Sequence, residues 1–143
     1  MKALIVVDMQ NDFIDGALGT PEAEAIVDNV KTKIEAYRKN SDAVIFTRDT
    51  HSENYMETQE GSKLPVPHCI EGSYGWQIRV ELDPADSLII DKPTFGSYEL
   101  IDSLRELDEE SPLESIELVG LCTDICVISN AMMIKAAFLE IPV

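Results

Sequence analysis

The chain has 143 residues, 45% of them hydrophobic, with 11 basic against 27 acidic side chains and a net charge of −16. That suits one domain with a real core and excludes the basic patch on which nucleic-acid binding or a polybasic membrane site rests. No apolar run approaches the ~18 residues of a membrane span, Met1–Asp8 lacks a signal-peptide layout, and three cysteines without framework spacing make a reduced, cytoplasmic setting the default expectation.

Ala3–Val7 is a continuous apolar run and predicts a central parallel strand covered on both faces. It ends at Asp8, a carboxylate at the edge where open α/β sheets bind ligands, although a helix-capping or loop aspartate fits the same position. Met9–Gly19 reads as a loop. Thr20-Pro21 reads as an N-cap followed by proline at the first helical position. Ile26, Val30, Ile34 and Tyr37 then recur at helical spacing, which predicts a helix to about Lys39. Ala43–Thr47 predicts a second buried strand. Beyond it Asp49 and His51 alternate in an extended segment, so their side chains face one way. His68 is the only other histidine. Asp49, His51 and His68, with Glu60 as a candidate further ligand, form a reasonable divalent-metal set. On spacing alone, two surface-loop histidines with polar partners are the commoner arrangement.

Ser87–Ile90 predicts a third short strand, which places Lys92 near a strand end, where an ordinary solvated lysine is the usual case. Gly96–Leu107 carries a helical pattern and Asp108–Ser115 reads as an acidic loop. Ile116–Val119 predicts a fourth strand, broken by Gly120. Thr123 and Asp124 suit a helix N-cap, and Ile125–Leu139 is apolar on nearly every side, which predicts a buried helix. Cys126 then falls in the first turn of that helix. The unpaired N–H groups and dipole there favour thiolate and suit a developing oxyanion. A small buried hydrophobe is the alternative for Cys126. Cys122 and Cys126 lie four apart, which is not the spacing of a thioredoxin-like pair.

Strands alternate with helices throughout, the pattern of a parallel sheet covered on both faces. The ends of three strands would bring Asp8, Lys92 and Cys126 to one edge. A cysteine nucleophile, an aspartate proton acceptor and a lysine to hold the charges form a coherent acyl-transfer set.

Several segments in this order resemble the isochorismatase-like cysteine hydrolases, and among them most nearly the nicotinamidases. They are Val7-Asp8-Met9-Gln10-Asn11-Asp12-Phe13, Thr47-Arg48-Asp49-Thr50-His51, Pro67-His68-Cys69-Ile70-Glu71-Gly72, Asp91-Lys92-Pro93-Thr94-Phe95 and Gly120-Leu121-Cys122-Thr123-Asp124-Ile125-Cys126-Val127. The resemblance implies a three-layer α/β/α domain over residues 1–143. It implies Asp8, Lys92 and Cys126 as a catalytic triad, with Lys92 lowering the Cys126 pKa and orienting Asp8. It implies an oxyanion hole of the Cys122 and Cys126 backbone amides, with a cis peptide before Cys122. It also implies a metal, zinc first and iron or manganese next, at Asp49, His51 and His68.

The implied reaction is deamidation of nicotinamide to nicotinate and ammonia through a thioester, in NAD salvage. Phe13 would pack the ring and the metal would take its nitrogen. The alternatives are another small amide, a ureide, an isochorismate-like substrate, or a non-catalytic binding module. A small-molecule substrate and further copies of the chain are the expected partners. The chain departs from the pattern at Lys63-Leu64-Pro65-Val66, which lacks the usual aromatic, with Trp76 too far along to replace it. It also ends at Ile141-Pro142-Val143, where the family's next strand begins, so a strand–helix tail is expected to be missing and one sheet edge or core face open.

Overall fold

The computed structural model describes residues 1–143. Its centre is a four-stranded sheet in the order β3-β2-β1-β4, every neighbouring pair parallel. The strands are β1 (Lys2–Val7), β2 (Ala43–Asp49), β3 (Leu88–Lys92) and β4 (Ser115–Gly120). The helices are α1 (Asn11–Ile14), α2 (Pro21–Ala25), α3 (Val27–Lys39), α4 (Gln59–Lys63), α5 (Tyr98–Glu110) and α6 (Ile128–Ala137).

The period-two alternation of β1 separates two apolar layers. Ala3, Ile5 and Val7 pack with Leu100, Ile101 and Leu104 of α5 and Ile134 of α6. Leu4 and Val6 pack on the other side with Val30, Ile34 and Tyr37 of α3. The α/β/α layering expected from the strand–helix alternation is therefore what the chain forms. Residues that share the C-terminal edge of the sheet are set by register: Val7 stands beside Thr47 and Gly120, and Asp49 beside Lys92.

Local chemistry explains most boundaries. Thr20 Oγ1 accepts from Ala23 N–H at 3.1 Å and starts α2, with Pro21 behind it. Ser97 Oγ accepts from Leu100 N–H at 3.2 Å and starts α5. The predicted helix through Lys39 is two helices, meeting at Ile26. The segment read as a loop after Asp8 contains α1, whose N–H groups are partly satisfied by distant carbonyls: Asn11 N–H donates to Gln77 O and Asp12 N–H to Gly75 O, both at 3.0 Å.

Two expectations about the end of the chain are corrected. Thr123 and Asp124 do not cap a helix. Thr123–Val127 forms a π-type turn, with Val127 N–H donating to Cys122 O at 3.1 Å, and α6 begins only at Ile128. Nor is α6 buried all round: Ile128 is 47% exposed and Met132 65%. β4 borders the sheet, so no further strand covers the outer side of that helix.

Candidate active site

Asp8 follows β1 directly, with φ at 48°, a left-handed backbone that a non-glycine residue holds only where its surroundings impose it. Its carboxylate is completely buried. Thr47 Oγ1 donates to Oδ1 at 2.6 Å. Lys92 Nζ lies 2.6 Å from Oδ2. Lys92 comes from the last position of β3, is itself 1% exposed, and also donates to Thr94 O at 3.2 Å. The solvated-lysine alternative is thereby excluded.

Burial makes Asp8 harder to ionise than an ordinary aspartate, against the opposing pull of Lys92 and Thr47. Burial also acts against the Lys92 ammonium, but Asp8 and then Cys126 outweigh it and hold its pKa above the usual value.

Cys126 sits in the π-type turn after β4 and is 6% exposed. Here the expectation of a depressed thiol is overturned. Burial pushes Cys126 up, the Asp8 charge adds to the rise, and the downward pull of Lys92 is outweighed. The peptide bond between Leu121 and Cys122 is cis. The Cys122 N–H donates to no protein acceptor. Gly120 is required where it stands: its φ is 119°, and a Cβ there would lie 2.1 Å from Val7 O.

The second cluster comes from β2 and the loop after it. Asp49, His51, Glu60 and His68 each offer one donor atom, all within 4.8 Å of one another. His51 Nε2 is 2.9 Å from Asp49 Oδ2 and 3.6 Å from Glu60 Oε1. His68 Nε2 is 3.4 Å from Asp49 Oδ2 and 3.8 Å from Glu60 Oε1. Four ligands on a tetrahedral ion at ordinary N and O bond lengths stand about 3.4 Å apart, so this donor set fits a divalent cation. His68 Nδ1 lies 2.7 Å from Val66 O, which turns Nε2 toward the cluster. Burial opposes ionisation of Asp49, but the hydrogen bonds of His51 and His68 prevail, with Lys92 helping, and hold it down at about 2. Burial likewise opposes the charged form of His68, and Asp49 outweighs it.

Members of both clusters line one cavity of about 620 Å³: Asp49, Glu60 and His68, and with them Cys122 and Cys126. Phe13 lines it as expected. Trp76 does not. It stacks under Arg48 at 3.6 Å and donates to Thr50 Oγ1. A second ring, Phe95, does line the cavity, and its position in the sequence carried no signal of that.

Several supporting residues were also missed. Gln10 is fully buried and joins β1 to β2: Nε2 donates to Asp49 O and Trp76 O, and Oε1 accepts from Asp49 N–H, each at 2.8 Å. Asp12 Oδ2 accepts from Cys69 N–H at 2.8 Å and anchors the His68 loop. Tyr55 packs against both histidine rings, at 4.7 and 5.0 Å between centroids. The one sequence signal for Gln10 and Asp12 is that polar residues directly follow a buried strand. Tyr55 gave none.

Three comparisons bear on this site. The chain is 29% identical to the nicotinamidase of Escherichia coli over 88% of its own length and 72% of that protein's. The pyrazinamidase of Pyrococcus horikoshii, solved in complex with zinc, superposes with a TM-score of 0.81 at 30% identity, over 95% of this chain and 79% of that one. The N-carbamoylsarcosine amidase of Thermoplasma acidophilum superposes with a TM-score of 0.77 at 27% identity, over 93% and 75%. Residues 2–142 match the Isochorismatase domain, and the chain belongs to that family.

Proposed function

We propose that the chain hydrolyses a small carboxamide, nicotinamide or a close pyridine analogue, to the acid and ammonia. The observation that carries this reading is the shared cavity. Cys126 and three of the four metal donors, Asp49, Glu60 and His68, line it together, and Asp8 and Lys92 are paired at the same edge of the sheet. Nicotinamidase and pyrazinamidase among the relatives support the substrate class. The free thiols Cys69, Cys122 and Cys126 suit a reducing, cytoplasmic setting.

In this mechanism Cys126 Sγ attacks the carboxamide carbon while its proton passes to Asp8 Oδ2. Asp8 takes the proton as the sulfur attacks, so this route needs no preformed thiolate. The raised proton affinity of the buried carboxylate favours that step. Lys92 and Thr47 hold Asp8 in place. The N–H groups of Cys122 and Cys126 receive the oxyanion. Collapse breaks the C–N bond, Asp8 returns the proton, and ammonia leaves a thioester on Cys126. Water, deprotonated by Asp8, then releases the acid and restores the thiol. When bound at Asp49, His51, His68 and Glu60, a divalent metal supplies a Lewis-acid site for a ring nitrogen. Phe13 packs one face of the ring.

The test is ammonia release from nicotinamide, pyrazinamide, benzamide and a ureide at equal concentration with metal-loaded protein. Nicotinamide and pyrazinamide are expected to exceed benzamide, which keeps the carboxamide and lacks the ring nitrogen. Equal rates on benzamide would remove the ring-nitrogen anchor. A second reading, hydrolysis of a ureide, has its support in the N-carbamoylsarcosine amidase likeness and in the absence of an aromatic at Lys63–Val66. A preference for the ureide in the same panel would establish it.

A further inference from the structure

Asn130 is completely buried in α6, four residues after Cys126, in a helix that otherwise buries only Ile134. Its amide makes three hydrogen bonds. Nδ2 donates to Cys126 O at 2.8 Å and to Phe95 O at 3.1 Å. Oδ1 accepts from Ser97 N–H at 3.0 Å. Both N–H bonds of the amide are thus spent on carbonyls of two different segments, and the oxygen on a third group.

One of those segments carries the Cys126 thiol, and both line the same cavity. Phe95 and Ser97 belong to the loop that leaves β3 just after Lys92. The ammonium of Lys92 holds the near end of this loop through Thr94 O, and Asn130 holds the far end. The loop also carries the Phe95 ring into the cavity. The nucleophile turn is π-type rather than a regular helix. Its N-terminal position, Cys122, has no side-chain cap. An apolar residue at 130 would leave the Cys126 and Phe95 carbonyls and the Ser97 N–H without these partners, in a place where water does not reach.

We infer that Asn130 is a positioning residue: it locks the backbone of Cys126 to the Lys92–Ser97 loop, and so fixes the nucleophile against both Asp8–Lys92 and the ring wall at Phe95. The inference rests on the hydrolase reading for its turnover arm only.

The test follows Cys126 and Cys69 separately, by iodoacetamide labelling and peptide mass mapping of metal-loaded protein. Cys69 is fully buried and held by other contacts, so it reports global opening. In Asn130→Ala, Cys126 labelling is expected to rise about tenfold, the scale set by losing one or two kcal/mol, with Cys69 unchanged. Turnover per folded molecule is expected to fall about 100-fold, as for a small misplacement of reacting groups. If the alanine variant does not fold, Asn130→Ser carries the test through the split between its labelling and its KM.

Asn130→Ser offers a short hydroxyl that reaches the carbonyl four residues back, that of Cys126. It should keep Cys126 labelling near the wild-type rate while raising KM through the freed Phe95 segment. Cys126 and Cys69 labelling rising together, or neither rising, would overturn the positioning role, as would a serine variant that labels like alanine. Wild-type protein that releases ammonia from no amide would remove the proposed function and leave the labelling comparison to decide Asn130.

Discussion

At the scale of single residues, the proposed chemistry turns on the buried carboxylate. Asp8 has one oxygen on Thr47 and the other on Lys92, and burial sets its proton affinity above that of an exposed aspartate. A base must be ionised to act, so activity is expected to fall as pH drops through a value above the ordinary 3.8. The Thr47 hydrogen bond favours the carboxylate. Removing it with Thr47→Val therefore raises the Asp8 pKa further and moves the acidic limb of the kcat/KM profile to higher pH. The same substitution leaves a buried oxygen short of a partner and is expected to cost about 1–3 kcal/mol in urea denaturation. An acidic limb unmoved in Thr47→Val would separate Asp8 from the titrating base. Cys126→Ala is expected to abolish turnover, whereas Cys69→Ala and Cys122→Ala retain most of it, because a group acting as a unit fails when its nucleophile is lost. Near-wild-type ammonia release by Cys126→Ala would refute the thioester route.

Secondary elements act here through their ends. β1, β2, β3 and β4 are parallel, so Asp8, Asp49, Lys92 and the Cys126 turn all emerge at one edge. The close passage of β4 along β1 leaves no room for a side chain at Gly120. Gly120→Ala should therefore lose at least about 2 kcal/mol of stability, from strain at positive φ and the clash together, read from its denaturation midpoint. The proposed metal donors come from the end of β2, from α4 and from the loop to His68. Zinc at 100 times its dissociation constant is expected to stabilise the protein by about 2.7 kcal/mol. His51→Ala should remove that shift in melting temperature. An identical zinc response in His51→Ala would exclude the site.

At the scale of the whole molecule, exposed apolar side chains gather beside one edge of the sheet. β4 borders the sheet, and the outer face of α6 shows Ile128, Met132 and, just past its end, Leu139 at 75% exposure. Only the beginning of the strand edge meets another segment, where Ile116 N–H donates to Pro142 O at 2.9 Å. An open strand edge beside an apolar helix face favours association, and a net charge of −16 opposes it. Raising salt screens the charge and leaves the apolar surface. Sedimentation velocity should therefore show residues 1–143 associating as ionic strength rises. A monomer at all salt concentrations would contradict this.

The sequence by itself determined the strands, because unbroken apolar runs such as Ala3–Val7 and Ile116–Val119 have few other uses. It also determined their parallel arrangement, because each strand is followed by a helical pattern. It pointed to Asp8, Lys92 and Cys126 at strand ends, since strand ends are where a parallel sheet presents reactive groups. Only the tertiary structure decided the proton affinities. Burial and charge at Cys126 come from residues more than thirty and more than a hundred positions away, and their sum is opposite in sign to what the local helix terminus suggests. Glu60 was legible as a candidate ligand beside the histidines, but only the tertiary structure set its distance from them and placed Phe95 in the cavity, because loop side chains follow no period that a sequence displays. The exposure of α6 belongs to the same class. An apolar helix pattern shows that a surface is fit for burial, and whether anything covers it depends on the neighbours the fold supplies.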